Sequence, residues 1–388
     1  MPKLDDLAAL RGDTPGCEAV VHLNNAGSSL PPRSVSEAVE RYRREEHLRG
    51  GYETADAHRT EIEGFYEATA RLLNAAPGHI AFAASATDAY NKALSAIPFQ
   101  PGDALVTTEL DYASNQIAFL YLQKRWGLRL LRARQGADGV VDVESVAELM
   151  KAHRPRLVAV THVPTNSGAV QPVEAIGALC RAQGVWYLVD ACQSAGQLPL
   201  DVRAIGCDFL SATLRKFLRG PRGAGFLYAA PRALDAGLEP AFPDLHGATW
   251  TDPDAYRLQD SARRFEYFEK PYDLLLGSRA AVEYALAIGL ENIQRRVAEL
   301  ADYTRTRLQT LPGIRVLDRG PQLCGIVTAA VAGWEPAALR EFLRHRGIHT
   351  SIVSRNSAVL DFDRKGVRWA LRISPHYFNT EAEIERLV

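Results

Sequence analysis

The 388-residue sequence has little that would mark a specialised structural class. Its five cysteines (Cys17, Cys180, Cys192, Cys207, Cys324) are odd in number and scattered, with no CxxC spacing. A disulfide framework or a zinc cluster is not expected from that pattern. No apolar run approaches the roughly 18 to 20 residues that span a bilayer. The opening Met1-Pro-Lys-Leu-Asp-Asp6 lacks the basic flank and apolar stretch of a secretory signal. Charge of one sign is also missing: 45 Lys and Arg face 46 Asp and Glu, for a net −1. That balance removes the drive toward non-specific nucleic-acid or acidic-membrane binding. Several chemical motifs are absent as well: GxxxxGK[ST], GxGxxG after a strand, the GxSxG elbow and HExxH. A cytoplasmic α/β enzyme of two domains, without metal, is the expectation that survives.

What is present alternates. Helix-type spacing runs over Ser34–Leu48 and Arg59–Leu73. Strands are expected at 79–83, 104–108, 128–132, 157–161, 185–189 and 209–212. Helices are expected between most of them, at 87–97, 114–126, 143–153 and 173–183. One helix per strand reads as βαβ units, and Leu157-Val-Ala-Val160 suits a sheet buried on both faces. The pattern changes near residue 270. A helix over Leu274–Leu311 leads to strands at 314–317 and 325–330, a helix at 336–346, and strands at 348–353 and 367–373. The expected organisation is an N-terminal segment (1–21), a large doubly wound, mostly parallel domain (22–273) and a smaller α+β domain (274–388).

Two residues stand out within that frame. Val185-Trp-Tyr-Leu-Val-Asp190 ends an apolar run in a carboxylate, which either caps a helix or faces a ligand at the sheet's carboxyl edge. Lys216 lies 26 residues further on, just past the next strand, in Thr213-Leu-Arg-Lys216. Alone, an Arg-Lys pair reads as solvated surface. Together with Asp190 and nearby hydroxyls it matches the needs of pyridoxal phosphate. That cofactor takes a lysine as Schiff base, a carboxylate at its ring nitrogen, and a helix N-terminus with hydroxyls for its phosphate. Ser85-Ala-Thr87 offers such a terminus.

The chain resembles the class V aminotransferases, a family of fold-type I pyridoxal phosphate enzymes that includes cysteine desulfurases. The likeness runs from His22 to the end, through seven segments in order. His22-Leu-Asn-Asn-Ala-Gly27 is similar to the family's LDNAA. Phe82–Asn91 resembles its phosphate cup, which implies phosphate contacts from Ala86 and Thr87. Glu109–Asn115 resembles the segment whose His stacks on the ring, with Tyr112 in that place. Thr161–Gly168 falls at HVSNxxG and puts Thr165 at the cofactor's 3-oxygen. Val189-Asp-Ala-Cys-Gln193 resembles VDGAQ, implying Asp190 on the pyridinium and Gln193 on the 3-oxygen. Thr213–Lys216 resembles SGHK, implying Lys216 as Schiff base and catalytic base, with Thr213 and Arg215 on the phosphate. Arg372–Thr380 resembles RxSxxxYNT, whose Arg clamps the substrate α-carboxylate.

Two departures shape the expected reaction. The loop Gly347–Ser357, where desulfurases carry a nucleophilic cysteine, has none. Arg264-Phe-Glu-Tyr-Phe-Glu269 carries Glu269 where the family's Thr reaches the partner subunit's phosphate. The Arg-Lys pair, Gly220-Pro-Arg-Gly223 and Glu46–Tyr52 resemble a branch with C–S lyases and isopenicillin N epimerase-like proteins. The resemblance therefore implies a homodimeric enzyme acting on a small amino acid by Cα deprotonation. A β-lyase of S-substituted cysteines comes first, an epimerase or transaminase second, and persulfide-forming desulfuration is set aside. Tyr52, His22 and Arg355 are further candidates for the substrate's surroundings, and Cys192 is expected to pack beneath the cofactor.

Overall fold

The computed structural model describes Leu4 and residues 6–388; Met1–Lys3 and Asp5, part of the expected N-terminal segment, lie outside the described residues. Seven strands form the central sheet: β1 (Ile80–Ala83), β2 (Ala104–Thr108), β3 (Arg129–Ala133), β4 (Leu157–Thr161), β5 (Trp186–Asp190), β6 (Phe209–Thr213) and β7 (Gly225–Ala229). Their order is β1-β7-β6-β5-β4-β2-β3. All run the same way except β7, which is antiparallel to β6 and β1.

Successive side chains of a strand point to opposite faces, and both faces of this sheet are covered. Val106, Val158, Val160, Tyr187, Val189 and Leu210 belong to one apolar core. Leu105, Leu157, Ala159, Leu188 and Phe209 belong to the other. Strands buried on both sides read as unbroken apolar runs, which is why periodicity found them. It missed β7. The Gly220-Pro-Arg-Gly223 turn before it reads as loop, and only pairing with β6 makes Gly225–Ala229 a strand.

Helix α1 (Ala86–Ala96) follows β1, and α2 (Ala113–Trp126) follows β2. The long helix expected at 274–311 is two helices, α3 (Tyr272–Ile288) and α4 (Leu290–Gln309). Gly289 breaks it with φ +90°, a conformation that favours glycine. The last part of the chain builds a four-stranded antiparallel sheet from β8 (Ile314–Val316), β9 (Val327–Val331), β10 (Ser351–Ser354) and β11 (Trp369–Ile373), ordered β8-β9-β11-β10. The strand expected at 348–353 is split, because Ile348–His349 pairs instead with Val21–His22. Asn24 also bridges Ser374, so the segment after residue 20 crosses to the C-terminal sheet. A hairpin at Ala248–Asp252 and Ala255–Leu258, which the sequence did not reveal, stands largely exposed, Trp250 and Tyr256 included.

Glu266 of the Arg264-Phe-Glu segment is buried against β1, the edge strand. It accepts the Phe82 N–H at 2.8 Å, Lys270 Nζ at 2.5 Å and the Tyr66 hydroxyl at 3.2 Å. Among the described residues, no helix is long and apolar enough to cross a membrane.

Candidate active site

A cavity of about 250 Å³ opens where the carboxyl ends of β1, β4, β5 and β6 converge with the segment after β2. The strand order reverses between β2 and β4, which is where open α/β sheets bind ligands. Every residue that lines it is delivered by a strand end. Ser85, Ala86 and Thr87 follow β1, Tyr112 follows β2, Thr161 and Thr165 belong to β4 and its exit, Asp190, Cys192 and Gln193 to β5 and its exit. Thr213, Arg215, Lys216 and Arg222 come from the reversal between β6 and β7.

Ser85 caps α1, its hydroxyl accepting the Asp88 N–H at 3.1 Å. The N–H groups of Ala86 and Thr87 in the first turn have no acceptor within the helix and face an anion favourably. Gly225 closes this end tightly: a Cβ there would stand 2.8 Å from Ala86 N.

Asp190 is held from both oxygens. Oδ1 accepts the Cys192 N–H at 2.9 Å, and Oδ2 accepts Asn115 Nδ2 at 3.1 Å. The same Asn115 amide donates to Asp111 at 3.0 Å, and Asp111 also accepts the hydroxyls of Thr107 (2.6 Å) and Thr161. Burial pushes Asp111 up to about 6. Tyr112 is placed by this network, since its N–H donates to Asp111 at 2.8 Å and to Thr161 at 3.1 Å. Asn115, Asp111 and Thr161 support the site but were not singled out from sequence; only their place in the quoted segments hinted at them.

Lys216 has no hydrogen-bond or ion-pair partner among the described residues, and its amine lines the cavity. Burial, with Arg215 and Arg372 nearby, pushes it below the usual lysine range. Arg215 donates to the Gly27 carbonyl, and Arg222, unanticipated, stands at the rim. Gln193 donates to Thr165 Oγ1 at 3.1 Å and to the Ala26 carbonyl at 3.1 Å, leaving its buried Oε1 without a partner. Arg372 stands one side chain behind the cavity wall. It reaches Thr165 Oγ1 at 2.6 Å and Asn24 Oδ1 at 3.2 Å, and its buried Nε has no partner. Burial beside Arg215 lowers its guanidinium to about 10.

The cavity thus gathers Arg215, Lys216 and Arg222 against a single carboxylate, Asp190. An anion and a group with a basic ring nitrogen would complete it. Three other expectations fail. Tyr52 is three-quarters exposed, and Arg355 pairs with Asp363 at the surface. His22 is buried with Nε2 at 2.8 Å from the Ser28 carbonyl, and none of the three lines the cavity. Glu269 is exposed and also lies outside the cavity wall. Cys192 lines the cavity, and burial pushes its thiol up.

Fold and site define a pyridoxal phosphate-dependent enzyme with the fold-type I architecture. The profile of Aminotransferase class-V matches residues 21–387, and the chain belongs to that family. A probable cysteine desulfurase of Methanothermobacter thermautotrophicus is 29% identical, over 97% of this chain and 95% of its own. The apo cysteine desulfurase of Thermococcus onnurineus superposes with a TM-score of 0.90 at 26% identity, covering 100% of this chain and 96% of that one. The cystine C–S lyase C-DES, solved with its product cysteine persulfide, shares the fold with a TM-score of 0.86 at 22% identity, over 96% of this chain and 97% of that one. The names of the first two relatives stand against setting desulfuration aside on sequence grounds. That exclusion rests on the Gly347–Ser357 loop alone.

Proposed function

We propose that the protein is a C–S β-lyase acting on an S-substituted cysteine. The observation that carries this reading is a half-buried Lys216 that lines the cavity with no hydrogen-bond partner, with Arg372 just behind the wall on Thr165, in a site whose one cysteine, Cys192, has its thiol pushed up by burial. A persulfide-forming reaction needs a thiolate that attacks, and burial opposes the thiolate.

Bound pyridoxal phosphate supplies a ring that draws electrons from Cα once the substrate amine is joined to it. In this reading Asp190 keeps the ring nitrogen protonated, and Asn115 with the Cys192 N–H aims that carboxylate. Ala86, Thr87, Thr213 and Arg215 would hold the phosphate. Tyr112, Thr165 and Gln193, which line the same cavity, would hold the ring. Arg372 grips the α-carboxylate by a two-pronged, charge-assisted contact, for which a guanidinium is better shaped than an ammonium. Lys216 Nζ takes the Cα proton as general base; its lowered pKa favours the neutral amine this needs. With that proton passed on to the departing sulfur, cleavage of the Cβ–S bond would release a thiol, and water would convert the three-carbon remainder to pyruvate and ammonia. The reading includes a homodimer, supported by the exposed Phe242, Trp250, Tyr256 and Phe268 on one part of the large domain.

The test supplies the holoenzyme with an S-alkyl cysteine and, separately, with free cysteine. Pyruvate and thiol from the first substrate, released equally by parent and Cys192→Ser, are expected. Alanine from free cysteine, lost in Cys192→Ser, would replace this reading with desulfuration. Transfer of the amino group to a keto acid, or solvent isotope entering Cα without cleavage, would mark a transaminase or an epimerase. Arg372→Ala should raise KM for the amino acid about a hundredfold, the loss of a doubly bonded charged contact. An unaltered KM would remove Arg372 from the substrate.

A further inference from the structure

Arg219, three residues past Lys216, is the largest fully buried side chain of the described chain, at 1% exposure. Its partners are all neutral. Nε donates to the Leu30 carbonyl at 2.9 Å, Nη1 to the Tyr377 hydroxyl at 2.5 Å, and Nη2 to Thr14 Oγ1 at 2.6 Å. The guanidinium carbon lies 4.4 Å from the centre of the Phe378 ring and 5.1 Å from that of Tyr377. Its backbone is also unusual, with φ +62°, in the left-handed region that disfavours a side chain. A buried cation without a carboxylate and a left-handed non-glycine residue are each unfavourable. Both occur at one residue in the turn that carries Lys216. Surroundings that keep such a residue in place fix its position closely.

The contacts show what is fixed. The turn from Leu214 to Gly220 is held at four points. The Ser29 N–H donates to the Arg215 carbonyl at 2.8 Å, and Arg219 N–H closes back on the Lys216 carbonyl at 2.9 Å. His376 Nδ1 accepts the Tyr377 N–H at 2.9 Å, which leaves Nε2 to donate to the Phe217 carbonyl at 2.8 Å. The fourth point is the Arg219 side chain, which reaches Tyr377 and Phe378. Those residues follow β11, the strand that bears Arg372.

We propose that Arg219 is a positioning residue: it braces the Lys216 turn against the segment following Arg372, so that the amine and the substrate-clamping guanidinium keep a fixed separation. This rests on the reading of Lys216 and Arg372 given above. Tyr377 is the lever through which the brace acts, since it is the one of the three hydrogen-bond acceptors that lies on the segment following β11.

Two variants of the holoenzyme test it. Arg219→Gly removes the side chain and relieves the left-handed strain, and Tyr377→Phe deletes one hydroxyl without leaving a large void. For each, the rate of pyridoxal phosphate release, kcat and KM are measured beside the far-ultraviolet circular dichroism. The expected result is an unchanged dichroism spectrum, a KM raised about tenfold with kcat changed less than about threefold, and faster cofactor release. If Arg219→Gly does not fold, Tyr377→Phe alone decides. Cofactor release and KM within about twofold of the parent, even with a lowered Tm, would make Arg219 a packing residue only and overturn the proposal. Failure of the underlying reading has a different signature: Lys216→Ala would then keep the visible cofactor band.

Discussion

Replacing Lys216 with Ala removes the visible absorbance of the holoenzyme and lowers kcat/KM by at least about a thousandfold. The amine has two tasks in the proposed chemistry, to bind the cofactor covalently and to move the Cα proton, and no other described residue stands ready for either. Asp190 is already occupied by the Cys192 N–H and Asn115, and Arg215 is engaged with the Gly27 carbonyl. The depressed pKa of Lys216 adds a pH signature. Its neutral, nucleophilic form is populated below the usual lysine range, because burial penalises the ammonium. Cofactor capture by the apoenzyme therefore rises with pH through a midpoint below that of a surface lysine, about 10.4. An unchanged visible band in Lys216→Ala, or a capture midpoint at the surface-lysine value, would count against this assignment.

Glu266→Gln lowers the stability of the fold by about 3 to 5 kcal/mol. The residue touches no cavity wall, so the effect is on folding rather than chemistry. Burial alone would push the Glu266 carboxyl up, yet His246, Lys270 and Arg263 hold it down at about 2. A carboxylate whose folded pKa is depressed stabilises the folded state above the unfolded value, about 4.3, and loses that contribution as pH falls toward 2. The difference amounts to about 3 kcal/mol. Gln keeps an acceptor for the Phe82 N–H but leaves the buried Lys270 ammonium without its counter-charge. Urea midpoints measured from pH 6 down to pH 3 check both parts. The parent loses stability steeply across the acid limb, while Glu266→Gln starts lower and falls less. Parallel curves for the two proteins would refute the role.

The sequence carried the site further than it carried the fold around it. Asp190, Lys216 and Thr87 were legible because each sits at the end of an apolar run, and such runs are local. The buried β4 and β6 could be read for the same reason. By contrast, β7 was invisible, since Gly225–Ala229 becomes a strand only through pairing with β1 and β6. The break at Gly289 was overlooked because helical spacing continues across it on both sides. Tyr52, His22 and Arg355 lie off the cavity wall: Tyr52 is exposed, Arg355 is paired with Asp363 at the surface, and His22 is bonded to the Ser28 carbonyl.

By itself, then, the sequence determined which residue types stand at which strand ends, and through them the family and the cofactor. Only the tertiary structure decided how those residues are aimed. Asn115 came to link Asp190 with Asp111, Asn24 came to hold Arg372, and Arg219 came to tie the Lys216 turn to Tyr377. The physical reason is range: periodicity and turn chemistry act over a few residues. The hydrogen bond from Asn115 to Asp190 joins positions 75 residues apart and that from Arg372 to Asn24 positions 348 apart, and only the folded chain brings such positions together.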